Sequence, residues 1–288
     1  MEDYDPHLQS LTPSVEFTRR TFVVTSLAAG FALAVQPVSA QTITTDSEGL
    51  TVGEVKIPVV DGEIPAYRAM PASGGPFTTI LVVHEVFGVH EHIQDLCRRL
   101  GKLGYFAVAP ALFAREGDVA KLGSQEAIMA LVATVPDAQI ASDLDATVAW
   151  AKTTGQADTD RLGITGFCWG GRQVWLYAAH NHDLKAAAAW YGVLDWPKSD
   201  RAPRNPPDIV QQIDVPVLGL YGGSDPGIPL EHIEAFRAAL KAAGKPCEII
   251  VYPDAPHGFN ADYRPSYRPA DAKDAWKHML SWFKDHGL

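Results

Sequence analysis

Cysteine is scarce: the 288 residues contain three, Cys97, Cys168 and Cys247. An odd number so widely spread cannot staple a small disulfide scaffold, and no CxxC or Cys/His spacing makes a structural zinc site. Basic charge is also short. Lys plus Arg number 24 against 34 for Asp plus Glu, a formal charge of −10, which leaves no footprint for nucleic acid or an anionic membrane surface. No internal repeat or low-complexity block interrupts the chain. What is present is 47% hydrophobic residues, enough to bury a full core in one domain of about 250 residues.

The first forty residues stand apart. Thr18-Arg19-Arg20-Thr21-Phe22 is a twin-arginine pair ahead of an apolar run, Phe22 to Val35, and Val38-Ser39-Ala40 offers a small-residue cleavage site. The run is shorter than the roughly 20 apolar residues of a membrane span. Residues 1–40 are therefore expected to form a twin-arginine export signal, with Gln41 starting a periplasmic or secreted protein. The alternative is an uncleaved anchor, or a chance Arg-Arg behind a misplaced start. Residues 41–288 read as a single domain, expected to act as a monomer.

Within that domain, β-like segments Thr51–Val59 and Glu63–Met70 flank the turn dipeptide Asp61-Gly62. Short apolar runs then alternate with helical stretches. Strands are expected at Thr79–Val83, Tyr105–Ala109, Arg161–Thr165, Lys185–Tyr191, Val215–Tyr221 and Glu248–Tyr252. Helices are expected at His92–Leu103, Val119–Ala133, Asp137–Thr153 (capped by Asp137), Trp169–Ala179, Leu230–Ala243 and Ala270–Lys284. Such alternation implies a mostly parallel sheet covered on both faces, with functional groups beyond the C-terminal ends of its strands. Cys97, in an amphipathic helix, and Cys247, opening a strand, read as small buried hydrophobes.

Gly166-Phe167-Cys168-Trp169-Gly170-Gly171 follows a strand and opens a helix, the G-x-S-x-G elbow pattern with cysteine in the serine position. A turn this tight strains the backbone at the nucleophile and needs glycine two residues to either side. The helix N-terminus favours a thiolate, and the Trp169 N–H is a candidate oxyanion donor. A buried cysteine in a dinucleotide-binding turn is the plainer reading. Against it, the three glycines do not make G-x-G-x-x-G, and the element lies mid-chain.

In elbow-type hydrolases the acid and the histidine follow the nucleophile in that order. Asp225 lies in the loop after the Val217–Tyr221 strand, where an orienting carboxylate belongs; Asp195, after the preceding strand, is its rival, and Asp214 precedes its strand. His257 follows the next strand, Ile249–Tyr252, and alone among ten histidines meets this order and location.

With Val83-His84-Glu85-Val86-Phe87-Gly88, Pro110-Ala111-Leu112-Phe113-Ala114-Arg115, the cysteine elbow, Gly223-Ser224-Asp225 and His257-Gly258-Phe259, the chain resembles the dienelactone hydrolase (carboxymethylenebutenolidase) family over essentially its whole mature length. The resemblance implies an α/β-hydrolase fold and hydrolysis of carboxylate-bearing enol-lactones by a Cys-His-Asp triad, Cys168, His257 and Asp225, without metal or organic cofactor. It also implies that Glu85 contacts the resting thiol and helps to activate it, that Val86 gives the second oxyanion N–H, and that Arg115 binds the substrate carboxylate. For Arg115 the plainer reading is a solvated loop arginine. Well-known members carry a serine directly after the histidine and an arginine three residues further; Gly258 and Ala261 stand there, with Arg264 close by.

Two other functions fit the same residues. One is a broader esterase or lactonase acting on neutral esters with the same triad. The other is a metal-binding protein using His84, Glu85, His90, Glu91 and His92, although Gly88 spoils the H-E-x-x-H pattern and strand alternation sets His84 and Glu85 on opposite faces.

Overall fold

Near-continuous apolar runs become the inner strands of a single eight-stranded sheet. The computed structural model describes residues 42–288; the expected export signal lies outside the described residues. Strands β1 (Leu50–Val59) and β2 (Gly62–Pro71) form an antiparallel hairpin in which Val59 faces Gly62. The two-residue loop is Val60-Asp61, one residue earlier than the turn dipeptide suggests, because Gly62 takes φ 148° and closes the ladder.

β2 runs antiparallel to β4 (Phe106–Pro110). From β4 onward the sheet is parallel, through β3 (Phe77–Val83), β5 (Ala157–Phe167), β6 (Ala186–Trp190), β7 (Val217–Gly222) and β8 (Cys247–Tyr252). The spatial order is β1-β2-β4-β3-β5-β6-β7-β8, with helices around the sheet, which is the α/β-hydrolase arrangement. Every residue of β4, β6 and β7 is buried, as strands sandwiched between helical layers require. Each large apolar side chain enclosed there, such as Phe106, contributes about 1.5–3 kcal/mol.

The helices are α1 (Glu91–Lys102), α2 (Gln125–Val132), α3 (Asp137–Thr153), α4 (Trp169–His180), α5 (Leu230–Ala242) and α6 (Pro269–Asp285). Three expectations are corrected. The stretch Val119–Ala133 is not one helix: a 3-10 turn, Val119–Lys121, precedes α2, and Ser124 Oγ starts α2 afresh by accepting the Ala127 N–H at 3.1 Å. Asp137 does not cap α3. Pro136 occupies the cap, and the Asp137 carboxylate instead receives Arg172 from α4. Cys97 is fully buried, but Cys247, on the outermost strand, is only partly so.

Candidate active site

β5 ends at Phe167 and α4 begins at Trp169, so Cys168 alone makes the turn between them. Its φ of 57° and ψ of −121° lie where non-glycine residues pay about 1–3 kcal/mol. Hydrogen bonds hold it there: Cys168 N–H donates to the Trp190 carbonyl at 3.0 Å, and its own carbonyl accepts from Arg172 N–H at 3.2 Å. The flanking glycines are required by contact. A Cβ on Gly166 would lie 2.6 Å from the Gly170 carbonyl oxygen, and one on Gly170 would lie 2.4 Å from that of His84. The Cys168 side chain therefore stands at the head of the sheet beside the N-terminus of α4.

β7 and β8 deliver the other two groups. Asp225, in the loop after β7, is buried; its Oδ1 accepts the Gly227 N–H at 2.8 Å and its Oδ2 meets His257 Nδ1 at 2.6 Å. His257, in the loop after β8, is 2% exposed. Its Nε2 makes no conventional hydrogen bond, and Cys168 is a titratable side chain that interacts with the ring besides Asp225. Burial alone would favour the neutral ring, but the Asp225 carboxylate, with Cys168 beside it, outweighs burial and raises His257 well above its ordinary value. Asp195, the rival acid, is exposed in the wall of a separate cavity, and Asp214 is exposed and paired with Lys245 at 2.9 Å. Neither approaches His257 as Asp225 does.

Glu85 follows β3 and is 1% exposed. Its Oε2 accepts from the Tyr263 hydroxyl at 2.8 Å, with His90 Nε2 at 3.5 Å and Arg264 Nη2 at 3.9 Å. Burial would push this carboxyl up, but the Arg264 charge and His90 hold it well below the usual carboxylate range. Among the described residues no hydrogen bond joins Glu85 to Cys168, and Glu85 Oε1 has no hydrogen-bond partner. The turn Glu85–Gly88 leaves Val86 N–H without a backbone acceptor, and Trp169, as first residue of α4, carries one of the N–H groups a helix leaves unbonded.

His84 is structural. Its Nδ1 donates to the Glu85 carbonyl at 2.7 Å and its Nε2 accepts the Leu112 N–H at 3.1 Å, so neither nitrogen has a lone pair left for a metal. No group of three His, Cys, Asp or Glu arranged to hold a metal ion occurs among the described residues.

Arg115 is already engaged. Its guanidinium is bound by Asp61, in the β1–β2 turn, and by Asp143 on α3, so a substrate carboxylate there would compete with two aspartates. Arg264 stands at Glu85 instead. It is buried, stacked over Phe87 at 4.7 Å, and its Nη2 has no hydrogen bond. Two further groups went unnoticed in the sequence. Tyr191, directly after β6, has φ 36°, an unpartnered hydroxyl, and a ring packed edge-on to His257 at 5.1 Å. Tyr263 bridges Glu85 and Arg264. The strand-end rule that located His257 points to Tyr191 equally well.

The model of the dienelactone hydrolase family matches residues 64–287. Over 290 residues, covering the whole of both chains, the sequence is 60% identical to a Methylorubrum extorquens protein named "Putative carboxymethylenebutenolidase". An Escherichia coli protein of the same name is 51% identical over 267 residues, covering 92% of this chain and 98% of its own. A crystal structure from Klebsiella pneumoniae, described as a "Putative Dienelactone Hydrolase", is similar with a TM-score of 0.80 at 51% identity, over 82% of this chain and 98% of that one.

Proposed function

Because the chain belongs to the dienelactone hydrolase family and is a carboxylic ester hydrolase, we propose that it opens enol-lactones through Cys168, His257 and Asp225. The observation that carries this reading is the 2.6 Å bond from His257 Nδ1 to Asp225 Oδ2, with Nε2 left to the elbow cysteine. A substrate carboxylate that draws Arg264 toward itself lifts the positive charge from Glu85. Glu85 then becomes the better base and takes the thiol proton. The sulfur adds to the lactone carbonyl carbon, the carbonyl π pair moves to oxygen, and the N–H groups of Val86 and Trp169 receive that charge. Collapse breaks the ring C–O bond and leaves an acyl-cysteine. His257, held as imidazolium by Asp225, gives its proton to the departing enolate oxygen. As a neutral ring it then takes a proton from the water that attacks the acyl carbon. The second collapse frees the sulfur as thiolate and the product as a carboxylic acid, whose proton restores the thiol as the product ionises.

The engagement of Arg115 by Asp61 and Asp143 favours a second reading, a lactonase or esterase of wider scope on the same groups, since Arg264 alone recognises a carboxylate less strictly than two arginines. Rates on cis- and trans-dienelactone and on simple p-nitrophenyl esters, for wild type and Cys168→Ala, separate these readings. Lactone turnover is expected to dominate and to vanish in the variant. Ester turnover without lactone hydrolysis would establish the second reading, and full activity in Cys168→Ala would remove both.

A further inference from the structure

Hydrolysis of an ester at neutral pH gives an acid that ionises, so one proton must leave the site in each turnover. Glu85 is shut off from bulk solvent: the residue is 1% exposed, and its Oε1 has no hydrogen-bond partner among the described residues. On the far side of its Oε2 lies His90, whose Nε2 is 3.5 Å away, 7% exposed as a side chain, and without any hydrogen bond. His90 also lines a cavity of about 690 Å³ in whose walls neither Cys168, His257 nor Glu85 takes part. The imidazole therefore reaches the buried carboxylate with Nε2 and also lines a cavity large enough to hold several waters.

The other groups facing this pair come from every element packed on it. From the loop after β8 come Tyr263, hydrogen-bonded to Glu85, and Arg264; from the end of β6 comes Tyr191; from the elbow comes Cys168; and from α1 comes His92. Arg264 keeps its proton, its guanidinium held up by Tyr263 and Glu85 against the effect of burial. Burial also drives the hydroxyls of Tyr191 and Tyr263 far above their ordinary range. His92 turns its Nδ1 toward Asp262, at 3.3 Å. His84, at the end of β3, lines the same cavity, but its nitrogens are taken by the Glu85 carbonyl and the Leu112 N–H, so of the two histidines it is His90 that directs a nitrogen at the Glu85 carboxylate.

We propose that His90 is a proton relay between Glu85 and the water of this cavity. The inference rests on Glu85 taking the thiol proton, as proposed above. The proton on Glu85 Oε2 passes to the lone pair of His90 Nε2; the imidazolium then releases its Nδ1 proton to cavity water, and Glu85 is again an anion. Tautomer exchange returns the ring to its starting form. No electron moves, and the proton lost by the site appears in solvent.

The test compares His90→Ala and His90→Gln with wild type, over pH and with added imidazole, which is small enough for the cavity. Both variants are expected to lose roughly 10- to 100-fold in kcat with KM unchanged. Imidazole is expected to restore the His90→Ala rate while leaving wild type unaffected. A variant kcat equal to wild type across pH would overturn the relay, and so would a loss that imidazole does not repair. Glu85→Gln separates the two layers of the argument. If it keeps full kcat, the role of Glu85 fails and the relay with it; if it is impaired while both His90 variants are not, the relay alone fails.

Discussion

At His257 two opposing forces are resolved by one atom pair. Burial disfavours the imidazolium, and the Asp225 carboxylate at 2.6 Å more than compensates. Asp225→Asn removes the charge but keeps the shape, so the sign follows directly: the ring loses its reason to stay protonated, and its pKa falls. The amide also supplies a donor where an acceptor is needed, which disturbs the tautomer. A fall in kcat of about 10²- to 10⁴-fold is expected, along with a downward shift of the His257 titration followed by NMR. An unchanged titration would contradict the electrostatic account. Cys168, Asp225 and His257 were all legible in the sequence because each sits in a short local pattern at a strand end. The surroundings of Glu85 were not, since Tyr191, Tyr263 and Arg264 reach it from loops far apart in the chain. At Arg115 a local pattern names the residue, but not the two distant aspartates that pair with it.

Among the elements, α4 has the most exacting placement, because the elbow allows its first turn no freedom. Behind Cys168 it is anchored by Arg172, fully buried, whose guanidinium binds Asp137 of α3 at 2.7 and 2.8 Å, Asn205 at 3.1 Å and the Arg204 carbonyl at 2.7 Å. Asp137 is spent on this bond rather than on capping its own helix, which explains why sequence reasoning placed α3 correctly and its cap wrongly. Helix periodicity depends on near neighbours, whereas the fate of a terminal carboxylate depends on what packs against it. Arg172→Met leaves the Asp137 carboxylate with the Gln173 amide at 3.1 Å and no countercharge, and a loss of about 3 kcal/mol is expected by urea unfolding. Asp137→Leu added to Arg172→Met removes the stranded charge and should recover most of that loss. A double variant no more stable than the single one would show that the arginine acts through Asn205 and Arg204 instead.

Over the whole molecule, acid stability carries the signature of a histidine that catalysis does not use. Burial lowers His84 from 6.5 to about 4, against the favourable bond to the Glu85 carbonyl. The folded chain therefore keeps His84 neutral across a range where the unfolded chain protonates it. Stability from this group is complete above pH 6.5 and is lost as pH falls toward 4, about 3 kcal/mol in all. Asp143 works in the opposite sense. Burial raises its carboxyl to about 6 in spite of Arg115, so its contribution grows as pH falls over much the same interval. The wild-type curve alone then sums these two with the other shifted groups, His257 and Glu85 among them. His84→Gln isolates one of them, because an amide can still accept the Leu112 N–H but does not titrate, while Asp143 is common to both proteins. Urea unfolding from pH 8 to pH 4 should show the advantage of wild type over His84→Gln shrinking by about 3 kcal/mol on acidification. A gap that stays constant with pH would mean that His84 is protonated in the folded chain, and its Nε2 could not then accept the Leu112 N–H that ties the loop after β4 to the end of β3.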